Sequence, residues 1–296
     1  MSKTIFKGIA TALITPFKAD GSVDFDAYGR IIDWQIESGI DALVSCGTTG
    51  ENPTLSDEEH RAVLKYAVER TAGRVPLIAG TGSNDTHHAI EMTRYACSIG
   101  SDAVLVVTPY YNKATQNGLV QSFTAIADAS TVPVVLYNVP SRTGCGIQPA
   151  TYAKLADHPR IQAIKEANGS ISSVVETMSL VKDRLDLYSG NDDQIVPIMA
   201  MGGLGCISVL SNIMPKETCE ITKRYFAGDV AGAAELQMRY VELCSALFCE
   251  VNPIPVKAAM AAMGWCEDVM RLPMTPMEPA NRERLLRAMR KEGLVK

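Results

Sequence analysis

The chain carries a set of side chains suited to carbonyl chemistry. These are Lys165, Tyr137, Tyr110 and Tyr111, the hydroxyls of Thr48 and Thr49, and Arg142. An amine desolvated by apolar neighbours favours its neutral form, which is a nucleophile able to form a Schiff base with a ketone or aldehyde. Lys165 ends the run Ile161-Gln162-Ala163-Ile164-Lys165, bounded by Pro159 and by Asn168-Gly169. Read as a strand, this run puts Lys165 on one face with Ile161 and Ala163. Taken alone, the same run also fits a strand-end lysine that snorkels to solvent beside Glu166. A phenol by itself is a poor base at neutral pH, but hydroxyl partners can relay its proton. By strand parity, Tyr137 shares a face with Val135, and Thr48 with Cys46 and Val44.

These residues need a scaffold that brings them together. Eight short apolar runs supply one: residues 8–14, 42–46, 76–80, 103–108, 133–138, 161–165, 185–189 and 206–210. Near-continuous apolar runs mark parallel strands covered on both faces. Helical patterns alternate with them at 24–38, 56–71, 85–99, 116–129, 148–157, 170–182, 192–201 and 216–227. Asp24 is placed to cap the first, Ser56 with Glu59 forms a capping-box pattern, and Gly39 and Gly100 are stop signals. Strand–helix alternation eight times over predicts a (β/α)8 TIM barrel at residues 1–228. An open doubly wound sheet fits less well, since the first turn lacks G-x-G-x-x-G. Three further helices, at 230–249, 253–263 and 278–291, form a small C-terminal helical region at 229–296.

Chemistry in such a barrel gathers at the C-terminal ends of the strands. Those ends read Gly47-Thr48-Thr49-Gly50-Glu51, Gly80-Thr81-Gly82-Ser83-Asn84, Pro109-Tyr110-Tyr111-Asn112, Tyr137-Asn138-Val139-Pro140-Ser141-Arg142-Thr143-Gly144, Lys165, Ser189-Gly190-Asn191-Asp192 and Ser208-Val209-Leu210-Ser211. Their convergence favours the nucleophilic reading of Lys165. Each piece has a plainer reading: a glycine turn at 47–50, rim packing for Tyr110-Tyr111, and a structural turn at 80–84, which lacks the G-K-[ST] of a phosphate loop.

Composition narrows the field. The net charge is −5, with no basic run to engage nucleic acid. No apolar run reaches membrane-spanning length. The first seven residues do not read as a secretory signal, so the cytoplasm is the expected compartment. The eight cysteines form no C-x-x-C pair, and the four histidines show no metal-ligand spacing. Free thiols and no metal are therefore expected.

The five motifs at 47–51, 109–112, 137–144, 164–167 and 189–192, in this order, resemble the dihydrodipicolinate synthase family. That family sits within the N-acetylneuraminate lyase superfamily of class I, Schiff-base aldolases. The likeness extends through Asn252-Pro253-Ile254-Pro255-Val256-Lys257. It implies a lyase that condenses pyruvate with L-aspartate 4-semialdehyde to 4-hydroxy-tetrahydrodipicolinate, in lysine and diaminopimelate biosynthesis. In that reading Lys165 forms the Schiff base and Tyr137 carries protons. Thr48 links Tyr137 to Tyr111, which reaches into a neighbouring subunit's site. Thr49 holds the pyruvate carboxylate and Arg142 that of the semialdehyde, while Gly190 and Ile207 offer backbone groups. No cofactor beyond the covalent lysine adduct is implied. The resemblance implies a homotetramer built as a dimer of tight dimers.

Many such enzymes are inhibited by lysine, and Asn52, His60, Asn84, His88 and Tyr110 fall at positions of that allosteric pocket. Two positions depart from the pattern. Asp57 stands where some inhibited relatives carry histidine, and His88 stands where an acidic side chain normally grips the ligand's ammonium. Weak or absent inhibition is expected. The rival enzymatic reading is a sibling aldolase acting on a 2-keto-3-deoxy sugar acid or a sialic acid. Ser141-Arg142-Thr143-Gly144 argues against it, because a short charged aldehyde wants a cation. A non-catalytic keto-acid binder and a phosphate-handling isomerase fit the motifs less well.

Overall fold

The computed structural model describes residues 4–296. Met1 to Lys3, part of the stretch examined for a signal, lie outside the described residues. Eight parallel strands close into a barrel in sequence order. They are β1 Gly8–Ala12, β2 Ala42–Ser45, β3 Leu77–Gly80, β4 Ala103–Val107, β5 Val134–Asn138, β6 Ile161–Glu166, β7 Asp186–Ser189 and β8 Gly205–Ser208. Each falls on one of the apolar runs, as expected for strands buried on both faces.

The helices wrap the barrel. They are α1 Phe25–Glu37, α2 Asp57–Thr71, α3 Thr86–Ser98, α4 Gln116–Asp128, the single turn α5 Pro140–Thr143, α6 Pro149–Leu155, α7 Ile171–Val181, α8 Ile195–Ala200 and α9 Pro215–Phe226. Local chemistry starts them: Asp24 accepts from the Ala27 amide, Ser56 and Glu59 form the reciprocal capping box, and Asp85 and Ser170 cap α3 and α7. The C-terminal region holds α10 Val230–Arg239, α11 Val241–Leu247, α12 Ile254–Ala262 and α13 Pro279–Lys291. The expected single helix over 230–249 is thus two, because the chain turns at Tyr240, which ends α10 and starts α11. The side chain of Tyr240 is buried at that corner, so tertiary packing overrides a helical sequence pattern there.

Two apolar layers result. Ala10, Ala42, Val44, Ile78, Ala103, Leu105, Val135, Ala163 and Ile207 fill the barrel interior, and alternate strand side chains such as Ile9, Leu43, Val104, Leu136 and Ile164 pack outward against the helices. Phe6, just before β1, stacks on Tyr188 with ring centroids 4.1 Å apart and closes the end opposite the mouth. The barrel seam joins Gly8 to Gly205. A Cβ at Gly205 would stand 1.7 Å from the Gly8 carbonyl oxygen, and its φ is +145°. Only glycine lets the two strands approach this closely.

Strand parity fails at two places. On β6 the register slips, so Val134 pairs with Ile161 while Val135 pairs with Ala163. Gln162 is the extra residue of a bulge. Ile161 therefore belongs to the outer layer, and only Ala163 shares the inward face of Lys165. On β2 the extended run stops at Ser45, and Cys46 takes φ +55°. Cys46 packs outward while Val44 packs inward, so Thr48 does not continue the face of either. It lies instead on a tight 3₁₀ turn, Thr48–Gly50.

Candidate active site

β5 and β6 present Tyr137 and Lys165 as paired neighbours in register, next to Tyr188 of β7. Lys165 is 5% exposed and Tyr137 6%. The lysine thus does not snorkel to open solvent. Its Nζ lies 4.2 Å from the centroid of the Tyr137 ring. Two cavities meet at this point, one of about 310 Å³ and one of about 480 Å³. The larger is lined by Lys165, Thr49, Gly190 and Ser141. The smaller is lined by Thr48, Asn52, Tyr110 and Glu51. Tyr137 and Arg142 border both. An amine, a phenol, hydroxyls and a guanidinium therefore surround one mouth at the C-terminal end of the barrel.

Gly190 is in contact with the lysine arm. A Cβ there would meet Ala167 Cβ at 2.7 Å and Lys165 Cε at 3.2 Å. The Gly190 amide donates to the Glu166 carbonyl at 2.7 Å. Ile207 is fully buried within the inner layer of β8. Asp192, buried just beyond Gly190, accepts from the Val209 and Leu210 amides at 3.0 and 2.9 Å and so fixes the end of β8. Burial raises its carboxyl above the ordinary range, against the pull of those amides and of Lys165.

Glu166 points the other way from Lys165. Both its oxygens accept from Asn138 Nδ2 at 3.1 Å, and one accepts from Tyr152 Oη at 3.0 Å. Burial raises its carboxyl too. Since Asn138 follows Tyr137 and Glu166 follows Lys165, this network pins the two strands beside that pair.

Tyr111 stands apart. It is 92% exposed, has φ +68°, and borders neither cavity. Within one chain the structure does not bring it to Tyr137. Of the residues assigned to the allosteric pocket, Asn52 and Tyr110 border the smaller cavity. His60 is buried on α2 with Nε2 2.9 Å from the Gly80 carbonyl oxygen, and burial lowers its pKa to about 4. The ring is therefore neutral at pH 7 and donates to that carbonyl. His88 Nε2 lies 3.7 Å from Asp57 Oδ1. Asn84 gives its carbonyl to Asn112 Nδ2 at 2.9 Å.

Sequence reasoning assigned no role to the C-terminal region, yet it reaches into the mouth. Asn252 Nδ2 donates to Thr49 Oγ1 at 3.0 Å, and the Asn252 carbonyl accepts from Arg142 Nη2 at 3.2 Å. One turn on, Lys257 pairs with Glu51 at 2.5 Å, both side chains fully buried. Burial raises Glu51 and lowers Lys257, while each pulls the other back toward its charged form. Phe17 lies under both Lys257 and Arg271, with ring-centroid distances of 4.1 and 4.3 Å. Arg271 in turn grips Glu59 with both terminal nitrogens at 2.6 Å. A lone lysine in the otherwise apolar Ile254–Ala262 was the one sequence signal of this tie.

A closed parallel barrel with a buried lysine beside a tyrosine at its mouth places the chain among (β/α)8 proteins with a lysine-centred site. The chain belongs to the dihydrodipicolinate synthetase family, whose profile matches residues 5–292. It is 51% identical over 290 residues to the 4-hydroxy-tetrahydrodipicolinate synthase of Caldicellulosiruptor saccharolyticus, covering 98% of each chain. Among solved structures it is similar to dihydrodipicolinate synthase from Aquifex aeolicus, with TM-score 0.95, 43% identity, and 98% and 99% of the two chains covered. It is likewise similar to the Cyanidioschyzon merolae enzyme with lysine bound, with TM-score 0.96, 37% identity, and 99% and 100% covered. Among the described residues no helix is long and apolar enough to cross a membrane.

Proposed function

We propose that this chain is a lyase condensing pyruvate with L-aspartate 4-semialdehyde to 4-hydroxy-tetrahydrodipicolinate, in lysine and diaminopimelate biosynthesis. The observation that carries this is the in-register placement of Lys165 beside Tyr137 at the barrel mouth. The Lys165 amine, once it has given up its proton, adds to the pyruvate ketone carbon, and water leaves to give an iminium. Loss of a methyl proton gives an enamine, whose carbon adds to the aldehyde carbon of the semialdehyde. The aldehyde oxygen takes a proton and remains as the hydroxyl. The substrate's own amine then attacks the iminium carbon, closes the ring and displaces Lys165. The iminium is itself the electron sink, so the scheme calls for no metal or organic cofactor.

Tyr137 moves the protons, with Thr48 joining it to Tyr111 of a neighbouring subunit. The exposure of Tyr111 in a single chain suits a residue that completes its task across an interface. A homotetramer built as a dimer of tight dimers is the assembly that goes with this role. Thr49 holds the pyruvate carboxylate, Arg142 that of the semialdehyde, and Gly190 and Ile207 contribute backbone groups. Arg142 on the rim favours a short anionic aldehyde over the polyol chain of a sugar acid or sialic acid.

The test is borohydride reduction with pyruvate, followed by peptide mapping and by assay with the semialdehyde. A pyruvate-derived adduct on Lys165, absent from Lys165→Ala, is expected, together with turnover of the semialdehyde. A folded protein that forms no adduct refutes the proposal.

A further inference from the structure

Asn252 lies in the wall shared by the two cavities, between α11 and α12, and is 5% exposed. Its amide is only half matched. Nδ2 donates to Thr49 Oγ1, whereas Oδ1 is buried with no hydrogen-bond partner among the described residues. A buried unmatched acceptor costs stability, so its presence needs a reason. The donor end supplies one. A hydroxyl has a single proton, and Thr49 Oγ1 is already receiving one from Asn252. Its own proton is thereby free to be donated, and among the described residues it goes to no protein acceptor. Thr49 borders the cavity that holds Lys165. The Asn252 backbone also receives Arg142, so the residue is held from two sides.

We infer that Asn252 is a positioning residue that presets Thr49 as a hydrogen-bond donor to the carboxylate of the 2-oxo acid at Lys165. Selectivity for 2-oxo acids over neutral ketones follows from it. The inference rests on the reading of Lys165 given above. An amide orients the threonine proton outward. A carboxylate at the same place would accept that proton, turn Thr49 around, and set a negative charge behind it.

The test compares borohydride trapping rates of the full-length protein with pyruvate and with methyl pyruvate, a neutral ketone of similar shape. Asn252→Asp is expected to slow trapping of pyruvate by about tenfold more than that of methyl pyruvate, the loss of one charge-assisted hydrogen bond. Asn252→Ala, which removes the donor without adding charge, is expected to show a smaller bias of about threefold in the same sense. It carries the test if the aspartate variant does not fold. A merely structural role would slow both ketones alike. Equal slowing, or a pyruvate rate untouched by Asp, overturns the inference while leaving the Lys165 chemistry standing. In the second case Thr49 would be the donor to Oδ1, a bond that Asp reproduces. No adduct in the wild-type protein with either ketone overturns both.

Discussion

Tyr137 and Lys165 face each other in register across β5 and β6, with the amine nitrogen 4.2 Å from the phenol ring. The ring and the hydroxyl of Tyr137 therefore have separable tasks. Tyr137→Phe keeps the ring beside the amine but removes the hydroxyl proposed to carry protons. Turnover is expected to fall by about 10²-fold or more, while a reducible adduct on Lys165 still forms. Steady-state kinetics beside borohydride trapping separates the two; near wild-type turnover would remove Tyr137 from the chemistry.

Gly190 touches the arm of Lys165. The methyl of Gly190→Ala would press on Ala167 Cβ and Lys165 Cε. Overpacking of this kind costs about 1–3 kcal/mol, and here the flexible lysine arm is among the groups that must move. Slower adduct formation with a modestly lowered urea midpoint is expected. An unchanged trapping rate would show that Lys165 accommodates the methyl elsewhere.

Lys257→Met leaves Glu51 buried without its partner. Loss of about 3–5 kcal/mol of stability is expected from breaking a buried pair in this way. Replacing both, as Lys257→Met with Glu51→Leu, should return much of that stability, because neither charge then stays unpaired. Equilibrium urea unfolding of the two variants measures the difference. Activity should not return with stability, since Glu51 directly follows the turn bearing Thr48 and Thr49.

His60 imposes a pH dependence of definite sign. Its pKa is about 4 in the folded chain against an ordinary value of 6.5. Between those values the unfolded chain binds a proton that the folded chain does not, so stability rises with pH. The contribution of neutral His60 is complete above pH 6.5, is lost as pH falls toward 4, and levels off below. Its full size is about 3 kcal/mol. Unfolding free energies of wild type and His60→Gln from pH 4 to 7 should differ by a slope confined to this window. Parallel curves would mean that His60 titrates normally.

His88 is engaged with Asp57 and presents no anion to a cationic ligand. L-lysine is therefore expected to inhibit turnover weakly or not at all. Replacing both, as Asp57→His with His88→Glu, should raise sensitivity to L-lysine by about tenfold or more as an ammonium group gains a carboxylate partner. Inhibition of the unmodified protein by micromolar L-lysine would defeat this expectation.

Much of this architecture is written locally. Strands buried on both faces need apolar side chains at nearly every position, so all eight show as short runs. The capping oxygens of Asp24 and Ser56 act within three residues of their own position and are equally visible. The strand ends carry Lys165, Tyr137, Thr49 and Arg142 in recognisable company. What stayed hidden depends on distant partners or on single dihedral angles. The bulge at Gln162 reverses the face of Ile161, and no periodicity within six residues records it. The positive φ of Cys46 removes Thr48 from its strand's face. The corner at Tyr240 depends on what packs around it. The ties from Asn252 to Thr49 and from Lys257 to Glu51 join residues some two hundred positions apart, where no local pattern connects them.

Those ties also have a consequence in time. A ribosome releases all eight strands before Asn252 and Lys257 emerge. A nascent chain therefore holds every strand, Lys165 and Tyr137 included, while Thr49 still has no amide behind it and Glu51 still lacks its lysine. The last quarter of the chain contributes no strand, yet it is what completes the mouth.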